Sequence, residues 1–203
     1  LIGGGYFKQD GIILNSGYER INFRMNLSSD LSEKVTIGTN LTFAFSSQDL
    51  VGGSGDGFGG NGGSVVRYAF FRTPPLPIKN PDGSYVDLPN FEGYSRAQQN
   101  NWFGDGYNPV GFANKYDWNA KIYRTFGNVF LTWDIIPGLV FRTDFGVDLS
   151  VLDEKRFNEN WGTDGRINNP SNMTKGMGTD FTWNWTNSLN WQKTFNEKHN
   201  LSV

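Results

Sequence analysis

The sequence contains no cysteine and a single histidine, His199, among its 203 residues. Without cysteine there is no disulfide framework and no thiolate metal site. One histidine with no histidine or cysteine partner assembles neither a zinc site nor a Ser-His-Asp triad. Asp153 and Glu154 are adjacent carboxylates, but neighbours on a strand point to opposite faces, which disfavours an acid/base pair. The expectation is a chain that is not an enzyme and carries no metal or other cofactor. No run approaches the roughly 18 apolar residues of a membrane-spanning helix. No basic block or stripe appears and the net charge is only -2, so nucleic-acid binding has no electrostatic support. The glycine-rich run from Gly52 to Gly63 lacks the Lys-Ser or Lys-Thr of a phosphate loop, and its Asp56 and Asn61 are too few oxygens for a calcium repeat. A flexible surface loop is the better expectation there. The start, Leu1 to Tyr6, has no initiator Met, basic n-region or cleavage site. The end stops as an alternating run begins, so both ends are expected to lie inside a longer polypeptide.

What is present is glycine, 26 residues, and aromatics at 16%, with Asn, Thr and Ser filling much of the remainder. These are mediocre or poor helix formers and suit strands joined by polar loops. Strict alternation dominates. Ile21, Phe23, Met25 and Leu27 alternate with Arg20, Asn22, Arg24, Asn26 and Ser28. After a polar turn at 29–34 the pattern returns, with Val35, Ile37, Leu41, Phe43 and Phe45 on one face. A second hairpin turns at Pro137-Gly138, where tight reversal needs glycine's backbone freedom. Its apolar set runs Tyr123, Val129, Leu131 and Trp133, then Leu139, Phe141, Phe145, Val147, Leu149 and Val151. Phe126 and Phe130 interrupt its polar set. A third begins at Phe181, with Trp183, Trp185, Leu189 and Trp191 against Thr182, Asn184, Thr186 and Asn190. Strands are expected at about 1–8, 18–28, 35–46, 119–135, 139–155, 179–193 and 199–203, within one partial barrel domain spanning 1–203.

Runs of about 10–17 residues exceed the 5–6 usual in soluble sheets and suit tilted strands crossing a bilayer. Short turns at 29–34, 136–138 and 194–198 interleave with longer loops at about 9–17, 46–118 and 156–178. Short turns on one rim and long loops on the other is the organisation of an outer-membrane barrel. Trp133, Trp191 and Phe195 lie beside short turns, and Phe45, Tyr123 and Phe181 beside long loops, as in aromatic girdles. The fold class expected is therefore all-β, an antiparallel transmembrane β-barrel segment of about six or seven strands. A glycan-binding β-sandwich and a plain outer-membrane barrel are the alternatives, and a glycosidase on a β scaffold is the weakest. Barrels need at least about eight strands, and an open sheet in lipid leaves its edge amides unpaired, so more strands are expected from elsewhere.

The stretch Gly4-Gly-Tyr-Phe-Lys-Gln-Asp-Gly-Ile-Ile13, then Asn15-Ser-Gly-Tyr-Glu-Arg20, Arg24-Met-Asn-Leu27 and Lys34-Val-Thr-Ile-Gly-Thr-Asn-Leu41, resembles the SusC/RagA-like TonB-dependent transporters of Bacteroidetes. In that family a similar block opens the barrel after the plug. Arg72-Thr-Pro-Pro-Leu-Pro77, Pro81-Asp-Gly-Ser-Tyr85 and Tyr107-Asn-Pro-Val110 are similar to its first long extracellular loop region. The resemblance implies an outer-membrane importer of oligosaccharides or peptides with a 22-stranded barrel. It implies a SusD-like surface lipoprotein as lid, and energy from the TonB complex, contacted through segments other than these residues.

In loop 46–118, Asn100, Asn101, Trp102, Phe103 and Tyr107 combine flat aromatic surface with oriented amides, as a substrate site for sugars requires. The plainer possibility is that these aromatics pack the loop or meet the lid protein. Arg20, Arg24, Arg124, Asp134, Arg142, Asp144 and Asp148 are expected to face the lumen, because charge facing lipid is penalised. There they are expected to pair with one another or touch a plug.

Overall fold

Side chains of a strand alternate between faces, so each alternating run can bury one apolar face while its backbone pairs sideways. The computed structural model, which describes residues 1–51, 65–86, 93, 95, 98, 108–160, 170–196 and 199–203, carries this out in one sheet. The strands are β1 (Ile2–Asp10), β2 (Gly17–Ser32), β3 (Val35–Leu50), β4 (Tyr116–Ile136), β5 (Leu139–Asn158), β6 (Asn172–Phe195) and β7 (His199–Ser202). They pair antiparallel in sequential order. Among the described residues two short helices, α1 (Val65–Phe71) and α2 (Pro109–Lys115), lie between β3 and β4.

The strands run further than the alternation suggested. β3 continues to Leu50, β4 begins at Tyr116 and β6 at Asn172, so the connections expected at 46–118 and 156–178 are shorter. Beyond Phe45 both faces are polar, as in Ser46, Ser47, Gln48 and Asp49. Periodicity reports where one face leaves water, whereas ladder hydrogen bonds continue without that requirement. The turn between β2 and β3 narrows to Glu33 and Lys34 for the same reason. At Gly138 the backbone adopts φ 85°, the conformation for which glycine was expected.

Register holds parity from β2 to β6. Phe45 pairs with Ile21 and Tyr123, Tyr123 with Val151, Phe145 with Val129 and Trp185. All the long apolar runs therefore share one face. No second sheet covers that face among the described residues, and Trp185 is 65% exposed and Leu189 58%. This removes the sandwich alternative, which needs two packed sheets. From Trp133 to Tyr123 the apolar side chains of β4 span about 33 Å at ~3.3 Å per residue. At the usual barrel tilt that is about 25 Å of depth, the height of a lipid-facing band. The next rows on the same face change to Lys8, Glu19, Lys121 and Asp153, then Asp49, Lys155 and Lys175.

Gly127 lets β3 and β4 close up at mid-sheet: a Cβ there would lie 1.9 Å from the Asn40 carbonyl oxygen, and its φ is 152°. Between α1 and α2 the chain forms a small hairpin, with the Val86 amide donating to the Ile78 carbonyl at 3.1 Å and the tip turning at Gly83.

Candidate functional site

Side-chain hydrogen bonds and ion pairs cross-link the polar face at the depth of the apolar band. Register places Arg20, Arg24, Arg124, Asp134, Arg142, Asp144 and Asp148 all on it. Arg124 forks onto Asp148, Nε to Oδ1 at 3.0 Å and Nη2 to Oδ2 at 2.6 Å. Arg142 donates to Asp144 at 2.9 Å, and Asn128 donates to both oxygens of the same carboxylate at 2.7 and 2.8 Å. Asn40 in turn donates to Asn128 at 3.1 Å, so one polar chain links β3, β4 and β5. Arg20 donates to Asn22 at 2.6 Å rather than to a carboxylate. Among the described residues, Arg24 and Asp134 make no side-chain ion pair.

Phe126 and Phe130, which interrupt the polar pattern, are platforms for guanidinium groups. Arg124 sits 5.4 Å from the Phe126 ring centre and Arg142 sits 4.2 Å from that of Phe130. Such cation–π contacts are worth about 0.5–1 kcal/mol where exposed. Room for the Phe130 ring comes from Gly38, whose added Cβ would fall 2.3 Å from its tip.

Beyond the apolar band the polar face carries a second assembly, which sequence reasoning missed. Tyr68 of α1 meets Phe112 of α2 edge-on at 5.1 Å, Phe112 stacks on Tyr116 at 5.1 Å, and Tyr116 meets Trp118 edge-on at 6.4 Å. Arg156 lies 4.1 Å over Trp118 and donates to Glu154 at 2.7 and 2.9 Å, while the Trp118 indole also donates to Glu154. Burial among these rings raises the Tyr116 phenol above its ordinary pKa. Asp153 and Glu154 part to opposite faces, Asp153 pairing with Lys175 across the apolar side.

Asn108 holds this assembly in place. It is fully buried; its Oδ1 accepts from the Val110 and Gly111 amides at 3.1 Å, capping α2, with Pro109 at the first helical turn. Its Nδ2 donates to the Ile78 and Val86 carbonyls at 2.8 and 2.7 Å. Buried Arg72 donates to the same Val86 carbonyl at 2.8 Å and to Pro77 at 3.2 Å. The Arg72–Pro77 and Asn108–Pro109 stretches, distant in sequence, thus share one acceptor. Asn-Pro ahead of a short run is a helix-start signature that could have located α2. Asn15, at φ 60°, ties the β1–β2 connection to α2 by donating to the Ala113 carbonyl at 3.0 Å and to Asn114 at 3.1 Å. Between them opens a cavity of about 620 Å³, lined by Asn15, Tyr18, Asp49, Asn114, Tyr116 and Trp118 among others.

Asn100, Asn101, Trp102, Phe103 and Tyr107 lie outside the described residues, as does the glycine run 52–63.

No protein-family model matches the chain. Curated relatives do. The chain is 29% identical over 199 residues to TonB-dependent receptor P39 of Formosa agariphila, covering 98% of this chain and 17% of that protein. It is 32% identical over 148 residues to TonB-dependent receptor P3 of the same organism, covering 71% of this chain and 13% of the relative. Among solved structures it superposes on the RagAB peptide transporter with a TM-score of 0.69 at 20% identity, over 99% of this chain and 21% of that one. The RagAB peptide importer in its open-open state gives 0.70 with the same identity and coverage. The chain thus spans under a fifth of the length of the curated relatives it matches.

Proposed function

We propose, from the premise that this chain belongs with the SusC/RagA-like TonB-dependent receptors as a segment of their outer-membrane β-barrel, that it is wall and mouth of an energised importer of glycans or peptides. The observation that carries the proposal is the division of one sheet into two faces. One is an apolar band of bilayer height; the other is a hydrogen-bonded polar surface that leads to an aromatic assembly at the long-loop rim. On this reading Arg20, Arg24, Arg124, Asp134, Arg142, Asp144 and Asp148 line the lumen, where Arg124–Asp148 and Arg142–Asp144 stiffen the wall. Arg24 and Asp134 are left to meet other parts of the protein. Asn100, Asn101, Trp102, Phe103 and Tyr107, which precede Asn108 in sequence, would contact cargo. A SusD-like surface lipoprotein would close over this rim, and the TonB complex would act through segments other than these residues.

Uptake is the test. Cells carrying the full-length protein are given labelled oligosaccharides and labelled peptides, with and without TonB. Import that needs TonB, with Trp102→Ala and Phe103→Ala raising the half-saturating concentration about tenfold, supports the proposal; tenfold corresponds to about 1.4 kcal/mol of lost contact. Import indifferent to TonB would favour a plain diffusion barrel.

A further inference from the structure

Immediately beyond the apolar band, on its own face, β4, β5 and β6 carry Lys121, Lys155 and Lys175. Lys155 and Lys175 are direct cross-strand partners. Like charges so placed repel, and the sheet gains nothing from the arrangement by itself. The relief available is small. Lys155 reaches Asp117 at 3.2 Å and Lys175 reaches Asp153 at 3.5 Å, each lysine side chain half or more exposed, and exposed pairs of this kind hold weakly. Lys121 has no ion pair among the described residues. Met173 and Met177, both well exposed, flank the ammonium groups on the same face, with Phe157 beside Met173.

The sector is distinct from its neighbour. At the same level, β1 to β3 present Lys8 against Asp10, Glu19 and Asp49, an acidic balance, whereas β4 to β6 present three lysines against Asp117 and Asp153. Height matters too. At about 2.5 Å of depth per tilted residue, Lys121 lies about 5 Å and Lys155 about 10 Å above the last apolar row. The headgroup layer is about 5–8 Å thick on each side, and lysine stems reach several ångströms further.

We infer that the β4–β6 sector binds the phosphate of a lipid headgroup in the outer leaflet, through Lys121, Lys155 and Lys175. This rests on the barrel assignment above. Compact ammonium groups are phosphate binders. The acyl chains of the same lipid continue onto the apolar band, and the methionines meet the non-polar faces of its headgroup.

The test uses the full-length protein extracted in detergent and titrated with diphosphorylated lipid A or with its dephosphorylated counterpart, bound lipid being counted by native mass spectrometry. The expected result is at least a tenfold preference for the phosphorylated form, undiminished by millimolar inorganic phosphate. The triple variant Lys121→Gln, Lys155→Gln, Lys175→Gln loses that preference, while Lys8→Gln in the acidic sector keeps it. Both variants must retain the heat-modifiable migration of a folded barrel. A triple variant that keeps the preference overturns the inference. So does an acidic protein that co-purifies with the wild type and is lost in the triple variant while lipid binding is unchanged. A heat-modifiable wild type without preference overturns the lipid site alone, whereas a wild type that never migrates as a barrel overturns the barrel assignment with it.

Discussion

The two faces of the sheet share every backbone atom and differ in what holds their side chains. On the polar face Asn40, Asn128, Asp144 and Arg142 form a chain of hydrogen bonds across three strands. On the opposite face Phe43 meets Phe23 at 6.3 Å and Phe145 meets Trp183 at 6.1 Å, ring against ring and without a hydrogen bond. Trp185 is an exception that tests the rule, since its indole donates to Thr143 at 2.8 Å where no water would be found. The polar face is therefore stabilised from within the chain and the apolar face by its solvent. A substitution should be felt according to its face rather than its position along the strand.

The largest expected effect comes where both faces depend on one atom's absence. Gly127→Val would drive a branched side chain into the Asn40 carbonyl and part β3 from β4. Overpacking and the glycine-type backbone together cost roughly 3 kcal/mol or more. The heat-modifiable band of the full-length protein should disappear at growth temperature.

Next comes a pair of adjacent residues at one depth. Trp185→Arg puts a charge on the lipid side and should cost about 2–4 kcal/mol, by the depth dependence of lipid-facing charge. Thr186→Arg, one residue along β6 and beside Asp144, should stay within about 1 kcal/mol. Urea unfolding of the full-length protein in bilayers separates the two. Equal costs would mean that the faces are not divided between lipid and lumen.

The rim assembly stands apart from both faces, because its order depends on one buried amide. Asn108→Ala removes the cap of α2 and leaves the Ile78 and Val86 carbonyls short of a donor. The local cost is about 2–3 kcal/mol. Hydrogen exchange should accelerate at Val110 and Gly111 while the β4–β5 ladder keeps its protection; acceleration in the ladder as well would show that rim and sheet are one cooperative unit.

The strand pattern was legible wherever one face met lipid. From Ile21 to Phe45 and from Tyr123 to Val151 the alternation carries face and register together, because a one-residue slip would turn apolar-face residues such as Phe43, Phe45, Phe141 and Phe145 inward. Legibility fails where that contrast ends. Ser47, Asp49, Asp117 and Arg156 belong to strands, but nothing in their polarity separates strand from loop. The shared face of the seven charged residues could be read from parity alone, whereas which of them pair could not. Arg20 turns to Asn22, and Arg142 combines an ion pair with the Phe130 ring that had looked like an error in the pattern. The rim was least legible, since Arg72 and Asn108 meet only through the folded path of the chain between them.

The smallest effect sharpens the contrast between rim and sheet, because it titrates one and not the other. At the tip of the small hairpin the Asp82 carboxylate accepts from the Ser84 hydroxyl at 2.6 Å and from the Ser84 amide at 2.9 Å. The hydroxyl bond is the larger reason its pKa lies below the ordinary aspartate value, and the amide bond acts in the same direction. A carboxyl whose folded pKa is depressed favours the folded turn at all pH above the unfolded value, about 4. That support fades as pH falls through the folded pKa. Exchange at the Ser84 amide, corrected for intrinsic rate, should thus be flat from pH 7 to about 5 and rise only below about 4. Asp82→Asn should flatten the acid limb. The β2–β3 ladder, where Phe43 faces Phe23 and no carboxylate accepts from a strand amide in that row, should show no acid limb in the same range. An acid limb of equal size in the ladder would place the transition in the whole sheet, and Asp82 would then be a bystander.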